Sequence, residues 1–163
     1  MNHDMLQQID SAVRVYCDGS CLMHHQNRPG GWAFMVLKGN QVLIEKSGGA
    51  WPTTNNQMEL TAAVEGLSYC MRHAHKDVLL IADSKYVTTG IAAWLKGWVK
   101  RGWRTADGSP VANKDLWHDV NVYISELNVR TVWVKGHAGH EYNERVDKAA
   151  FIMANEMARE SGL

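Results

Sequence analysis

The run Asp77-Val78-Leu79-Leu80-Ile81-Ala82 is apolar at every position but its first, and it stops at Asp83. A run this short and this apolar reads as a strand buried on both faces, as in the parallel part of a sheet covered by helices. Such a strand requires neighbours in the sheet and layers above and below it. The preceding segments supply the neighbours. Residues 12–17 are rich in β-branched and aromatic side chains and predict a strand. Gly30-Gly31 opens a second run over residues 32–37, Lys38-Gly39-Asn40-Gln41 is a turn, and residues 42–46 predict a third strand. Together these three form an antiparallel meander.

The covering layers are also legible. Thr53-Thr54-Asn55 is a helix start, and Leu60, Ala63, Val64, Leu67 and Met71 follow on one helical face. Residues 85–95 predict a second helix. Leu116, Val120, Tyr123, Ile124 and Leu127 mark a third, capped from Asn113. Residues 129–134 predict a fifth strand, and Val146, Ala149, Ala150, Met153 and Met157 a closing helix. The order β-β-β-α-β-α-α-β-α predicts an α/β fold. Its mixed five-stranded sheet has three antiparallel strands, then two parallel ones, with helices on both faces.

At 163 residues the chain is expected to be one domain, 1–163, with residues 1–11 as a polar N-terminal extension. That extension lacks the basic-then-apolar pattern of a signal peptide. No apolar run approaches the roughly 20 residues of a membrane span. Cys17, Cys21 and Cys70 are an odd number without a CxxC, which predicts a reduced, cytoplasmic setting. The 17 basic and 17 acidic residues cancel, so partners depend on where the charges lie. Residues 94–104 hold Lys96, Lys100, Arg101 and Arg104, no acid, and Trp94, Trp98 and Trp103. Cations for phosphates interleaved with flat rings are a nucleic-acid-binding composition. Trp94 and Trp98 are four apart, so the tryptophans are expected to be mostly structural and the basic residues to protrude.

Four acids stand in marked contexts: Asp18 and Asp83 at strand ends, Glu59 and Asp147 one residue from the apolar stripes of their helices. Singly, each reads as a solvated group, and Glu59 and Asp147 also suit an early helical turn. Together they could not all ionise without a counter-charge, and oxygen-only ligands select hard cations such as Mg²⁺ or Mn²⁺. A Cys₂His₂ zinc site from Cys17, Cys21, His137 and His140 is disfavoured, because Cys17 should point to the strand face opposite Asp18 and the histidines lie in a Gly-rich loop.

The motifs Asp18-Gly19-Ser20-Cys21, Thr54-Asn55-Asn56, Met58-Glu59-Leu60, Asp83-Ser84-Lys85-Tyr86-Val87, Lys100-Arg101-Gly102-Trp103 and Trp133-Val134-Lys135-Gly136-His137-Ala138-Gly139-His140 occur in order, with Asn143-Glu144-Arg145 before Asp147. In these the chain resembles ribonuclease H of the bacterial type I form, over roughly residues 13–150. The resemblance implies an endonuclease that hydrolyses the RNA strand of RNA–DNA hybrids with two metal ions, leaving 5′-phosphate and 3′-hydroxyl ends. It implies Asp18, Glu59, Asp83 and Asp147 as Mg²⁺ ligands, with Mn²⁺ able to substitute. It makes His137 a loop histidine aiding proton transfer or product release. Thr54, Asn55, Asn56 and Lys85 would then contact the hybrid, and Trp94, Lys96, Lys100, Arg101 and Arg104 would belong to a basic protrusion gripping the DNA strand. A monomer without a membrane partner is expected. The stretch before the first strand is too short for the separate hybrid-binding domain some members carry.

Several positions depart from the family pattern. Residues 23–29 form a longer loop without the usual glycines, in which His24 and His25 are either substitute contacts or solvated residues. Gln57 replaces a common Arg, Lys85 a common Gln and Glu141 a frequent Pro. These changes predict a weaker or more salt-sensitive grip on substrate with the chemistry intact. A resolvase-like or transposase-like nuclease would share the acidic sheet without the full motif set. A silent hybrid-binding module would have lost acids that are all present here.

Overall fold

The computed structural model describes residues 12–162, so the N-terminal extension expected over residues 1–11 lies outside the described residues. Strands β1 (Val13–Cys21), β2 (Gly30–Lys38) and β3 (Gln41–Ala50) form the antiparallel meander. Strands β4 (Asp77–Ala82) and β5 (Asn128–Trp133) add to it in parallel, giving the order β3-β2-β1-β4-β5. The apolar run at β4 is buried from Val78 onward, because β1 and β5 flank it and helices cover both of its faces.

Three strands run beyond their apolar cores. β3 continues through Ser47-Gly48-Gly49-Ala50, a stretch of low strand propensity. Pairing with β2 holds it there, Gly31 opposite Gly49 and Gly30 opposite Ala50. At Gly31 the closing helix presses so close that a Cβ would stand 2.2 Å from the Ala150 carbonyl oxygen.

Helix α1 (Asn55–Arg72) starts at Thr54, whose hydroxyl accepts from the Gln57 amide at 3.1 Å. Leu60, Ala63, Val64 and Leu67 are buried as expected, but Met71 is 41% exposed. The buried face instead widens through Ala62, Gly66 and Cys70, small enough to sit flat on the sheet. The helix expected over residues 85–95 is longer and irregular. It comprises α2 (Lys85–Thr89), a π-helical turn (Gly90–Trp94) and α3 (Leu95–Lys100). The irregularity falls where the Trp117 ring packs against Gly90, with a Cβ there only 2.2 Å from Cη2.

Helix α4 (Lys114–Glu126) follows Asn113 as expected, but Asn113 is left-handed (φ 57°) and its side chain does not cap. Its amide donates to the Tyr86 hydroxyl at 3.1 Å, which also accepts from Trp117 Nε1 at 2.9 Å. Helix α5 (Glu141–Ser161) closes the fold. One core layer packs Val15, Cys17, Phe34 and Leu80 under α1 and α4; the other packs Tyr16, Met35, Leu79 and Ile81 under α5. Among the described residues no helix is long and apolar enough to cross a membrane.

Candidate active site

Asp18 lies near the outer end of β1, where Gly19 lets helix α1 approach closely at Met58 and Glu59. Asp83 follows directly on β4, and the parallel pairing of β1 with β4 places both acids at the same sheet end. One carboxylate oxygen from each of Asp18, Glu59 and Asp83 lies within 4.8 Å of the others. Asp18 is 2% exposed. Its Oδ1 accepts from the Gly19 amide at 2.9 Å, while Asp18 Oδ2 and Glu59 Oε2 are buried without a hydrogen-bond partner.

Such oxygens are unstable as bare anions. Burial, then the negative charges of Glu59 and Asp83, and then side-chain contacts with Asp147 and Glu59 push the Asp18 carboxyl up to about 11. Burial likewise raises Glu59 to about 8, opposed by its contact with Asp18. Orphaned oxygens from an oxygen-only donor set fit a hard divalent cation, which would take the place of the protons they otherwise hold. Asp147 stands at the open rim, touching Asp18 and 3.8 Å from His137 Nδ1. Cys17 lies in the core layer under α1, on the opposite face of β1 from Asp18, and burial raises its thiol pKa well above the ordinary value. That position removes it from any shared zinc site.

The loop between β5 and α5 reaches over the acids. Gly136 packs against Asp83, where a Cβ would meet Oδ2 at 2.9 Å. His137 is left-handed (φ 56°), and its side chain is 83% exposed. Trp133, which opens the motif of the His137 loop but suggests no role by itself, donates from Nε1 to the Asp83 carbonyl at 2.9 Å and holds the Lys85 ammonium 4.7 Å from its ring centroid.

Beyond the acids a polar face extends over the ends of β1 and α1. Asn55 Oδ1 accepts from the Cys21 amide at 2.8 Å, which orients the side chain from α1 toward β1. Thr54 spends its hydroxyl on the helix cap, and Asn56 is exposed beside it. Gln57, which stands where an arginine could reach a phosphate, makes a 2.9 Å hydrogen bond with the Thr53 hydroxyl, so it serves the helix start. The loop of residues 22–29 is closed by the Leu22 amide donating to the Pro29 carbonyl at 2.8 Å, and leaves His24 and His25 exposed. Lys96, Lys100, Arg101 and Arg104 are all exposed. Arg101 Nε and an Arg104 guanidinium nitrogen donate to the carbonyls of Arg104 and Gly108, so both arginines also brace their own loop. Trp98 packs edge-on against Trp117 at 5.1 Å, as a structural residue should. Trp94, the last residue of the π-helical turn, instead remains 40% exposed, with its ring 6.4 Å from that of Tyr86 and 5.9 Å from that of Trp98.

The sequence model of the RNase H family matches residues 10–154. The chain belongs to the RNase H family. A ribonuclease H from Photorhabdus laumondii is 46% identical over 143 residues, spanning 88% of each chain. One from Cyanothece sp. is 42% identical over 144 residues, covering 86% of this chain and 88% of the relative. Among solved structures, LC9-RNase H1, described as a type 1 RNase H with the type 2 active-site motif, superposes with a TM-score of 0.79 at 28% identity, over 90% of this chain and 73% of its own. The foamy viral protease–reverse transcriptase, solved with an RNA/DNA hybrid, shares the fold at a TM-score of 0.76 and 16% identity, over 90% of this chain and 20% of its own. As an RNase H this chain is a hydrolase acting on the RNA strand of hybrids, and the acid cluster at its sheet end is where the family's divalent-metal chemistry would sit.

Proposed function

We propose that the enzyme cleaves the RNA strand of RNA–DNA hybrids by two-metal-ion hydrolysis, leaving 5′-phosphate and 3′-hydroxyl ends. The convergence of the Asp18, Glu59 and Asp83 oxygens, two of which are buried and unpaired, carries this reading. With Asp147 at the rim they would hold a pair of Mg²⁺ ions, and Mn²⁺ suits the same donors. Such ions supply an activated water and a counter-charge for the leaving oxygen.

The protein's own groups do the rest. His137, exposed beside Asp147, aids proton transfer or product release. Asn55, Asn56 and Thr54 line the approach to the acids, and Lys85 stands over Trp133 next to Asp83. Lys96, Lys100, Arg101 and Arg104, with Trp94 open among them, offer a cationic rail for the DNA strand. Selection of the RNA strand then rests on its 2′-hydroxyls and on groove shape, with little base readout.

The test is an end-labelled RNA–DNA duplex incubated with and without Mg²⁺, with product ends identified by phosphatase and ligase treatment. Mg²⁺-dependent cuts confined to RNA with 5′-phosphates are expected. Cleavage of the DNA strand, or of a four-way junction in preference to the hybrid, would overturn the reading.

A further inference from the structure

Arg14, the second residue of β1, is 4% exposed. It alternates with Val13 and Val15, which face α1, and so shares with Tyr16 the face under α5. A guanidinium at that depth is expensive unless its donors and its charge are met. Among the described residues no carboxylate meets it. One nitrogen donates to the Tyr16 hydroxyl at 3.1 Å and the other to the Gly39 carbonyl at 2.8 Å. The charge lies 5.8 Å from the Tyr16 ring centroid and 5.7 Å from that of Tyr142, and the two rings meet at 5.4 Å and 48°. The result is a cationic core shared by two aromatic rings.

The location of those rings gives the cluster its use. Tyr16 is two residues before Asp18. Tyr142 is the second residue of α5, at the foot of the loop that carries His137. The loop has few other tethers: it turns through left-handed His137 and Gly139, and the Gly139 amide donates to Glu144 at 3.2 Å. Against it lies a cavity of about 340 Å³ lined by Tyr16, Val134, Glu141, Tyr142 and the loop's own Ala138, Gly139 and His140, with none of the four acids in its lining. Space beside a loop with two left-handed residues, on a side that none of those four acids lines, leaves it room to shift away from them. Val134, whose amide donates to the Ala82 carbonyl at 3.0 Å, fixes the wall at one foot of the loop, and Tyr142, pinned by Arg14 and Tyr16, fixes the wall at the other.

We propose that Arg14 is a positioning residue that acts through Tyr142 to hold the His137 loop forward over the acid cluster. The proposal rests on His137 acting in catalysis, as argued above. It predicts that Tyr142→Ala, at a half-buried position on α5, lowers kcat by about tenfold with KM little changed, since misplacing a reacting group slows chemistry more than it weakens binding. Arg14→Met, which keeps the length and removes the charge, lowers kcat similarly, and the double variant falls no further than Tyr142→Ala. Tyr142→Phe keeps the ring and retains most of the rate. Should Arg14→Met fail to fold, Arg14→Lys takes its place: it keeps the charge but loses the forked contact to Tyr16 and Gly39, and an unchanged kcat in it together with a slowed Tyr142→Ala would overturn the role of Arg14.

The deciding measurement repeats Tyr142→Ala in a His137→Ala background. If the tyrosine acts through the histidine, it costs nothing further there. A slowed His137→Ala enzyme that loses another tenfold with Tyr142→Ala overturns the positioning while leaving the histidine's role standing. An unchanged rate for His137→Ala alone overturns that role and the proposal with it.

Discussion

Gly19 lies so close to Glu59 that a Cβ on it would stand 2.2 Å from the Glu59 backbone nitrogen. This contact brings a helix carboxylate within reach of Asp18 on the neighbouring strand. Gly19→Ala must therefore push α1 away from β1. The expected cost is about 2 kcal/mol of stability, as for other overpacked sites, and cleavage falls because Glu59 moves with the helix. Chemical denaturation together with hybrid-cleavage rates checks this. Full activity in Gly19→Ala would mean that the helix and strand can separate without consequence.

Asp83→Asn keeps the shape of the side chain and removes one charge from the cluster. Cleavage should fall about a hundredfold or more while hybrid affinity in the absence of metal is kept or improved. A variant that cuts at the wild-type rate would reject the role given to Asp83.

The raised carboxyls make metal-free stability depend on pH. Below about pH 4 Asp18 and Glu59 are protonated in both folded and unfolded chains. Above that, the unfolded chain releases both protons, whereas the folded chain holds them to about 8 at Glu59 and about 11 at Asp18. The folded state binds more protons through this window, so stability declines as pH rises. Urea midpoints in chelator should drop from about pH 5 to about pH 9 in the wild type and much less in Asp18→Asn, with Mg²⁺ reversing the drop. A wild-type-minus-variant difference that stays constant with pH would contradict this.

Lys96 and Lys100 have no internal partners among the described residues, whereas Arg101 and Arg104 brace their loop. Replacing either lysine with alanine should flatten the dependence of log affinity on log salt by about 0.9 for each phosphate no longer neutralised, and leave the melting temperature unchanged. Arg104→Ala should lower both. The loop of residues 22–29, Gln57 and Lys85 together predict weaker or steeper salt-dependent binding than the Photorhabdus laumondii relative shows. Identical affinities across salt would dismiss the altered grip.

Gly90→Ala tests the π-helical turn. The added methyl would collide with Trp117, a side chain with no exposed surface, so about 2 kcal/mol of stability should be lost. A Cβ at Gly90 would meet the Trp117 ring first and none of the acids, so the cleavage rate at saturating substrate should hold.

Patterns that repeat along the chain are legible in the sequence itself. Val78 to Ala82 announce a strand buried on both faces, the stripe from Leu60 to Leu67 a helix on a sheet, and Thr54 its cap. Where a distant neighbour decides the outcome, the chain is silent or misleading. Asn113 sits at a cap position yet turns its amide to Tyr86, and Met71 keeps the helical spacing yet faces solvent. The helix over residues 85–95 looks regular in sequence because the Trp117 ring that packs on Gly90 lies far along the chain.

The site divides the same way. Strand ends and helix edges mark Asp18, Glu59, Asp83 and Asp147 as candidates, because period and burial are properties of local sequence. The meeting of Asp18, Glu59 and Asp83 within a few ångströms depends on the parallel pairing of β1 with β4 and on the approach of α1 at Gly19. Arg14 is illegible in the sequence altogether. A charge alternating with valines reads as the wet face of a strand, and only a sheet covered on both sides turns that face inward against Tyr16 and Tyr142. The sequence by itself determined the elements, their order and the kinds of chemical group available. The tertiary structure decided which groups share a space, because desolvation, like-charge repulsion and ring packing act between residues that the chain keeps far apart.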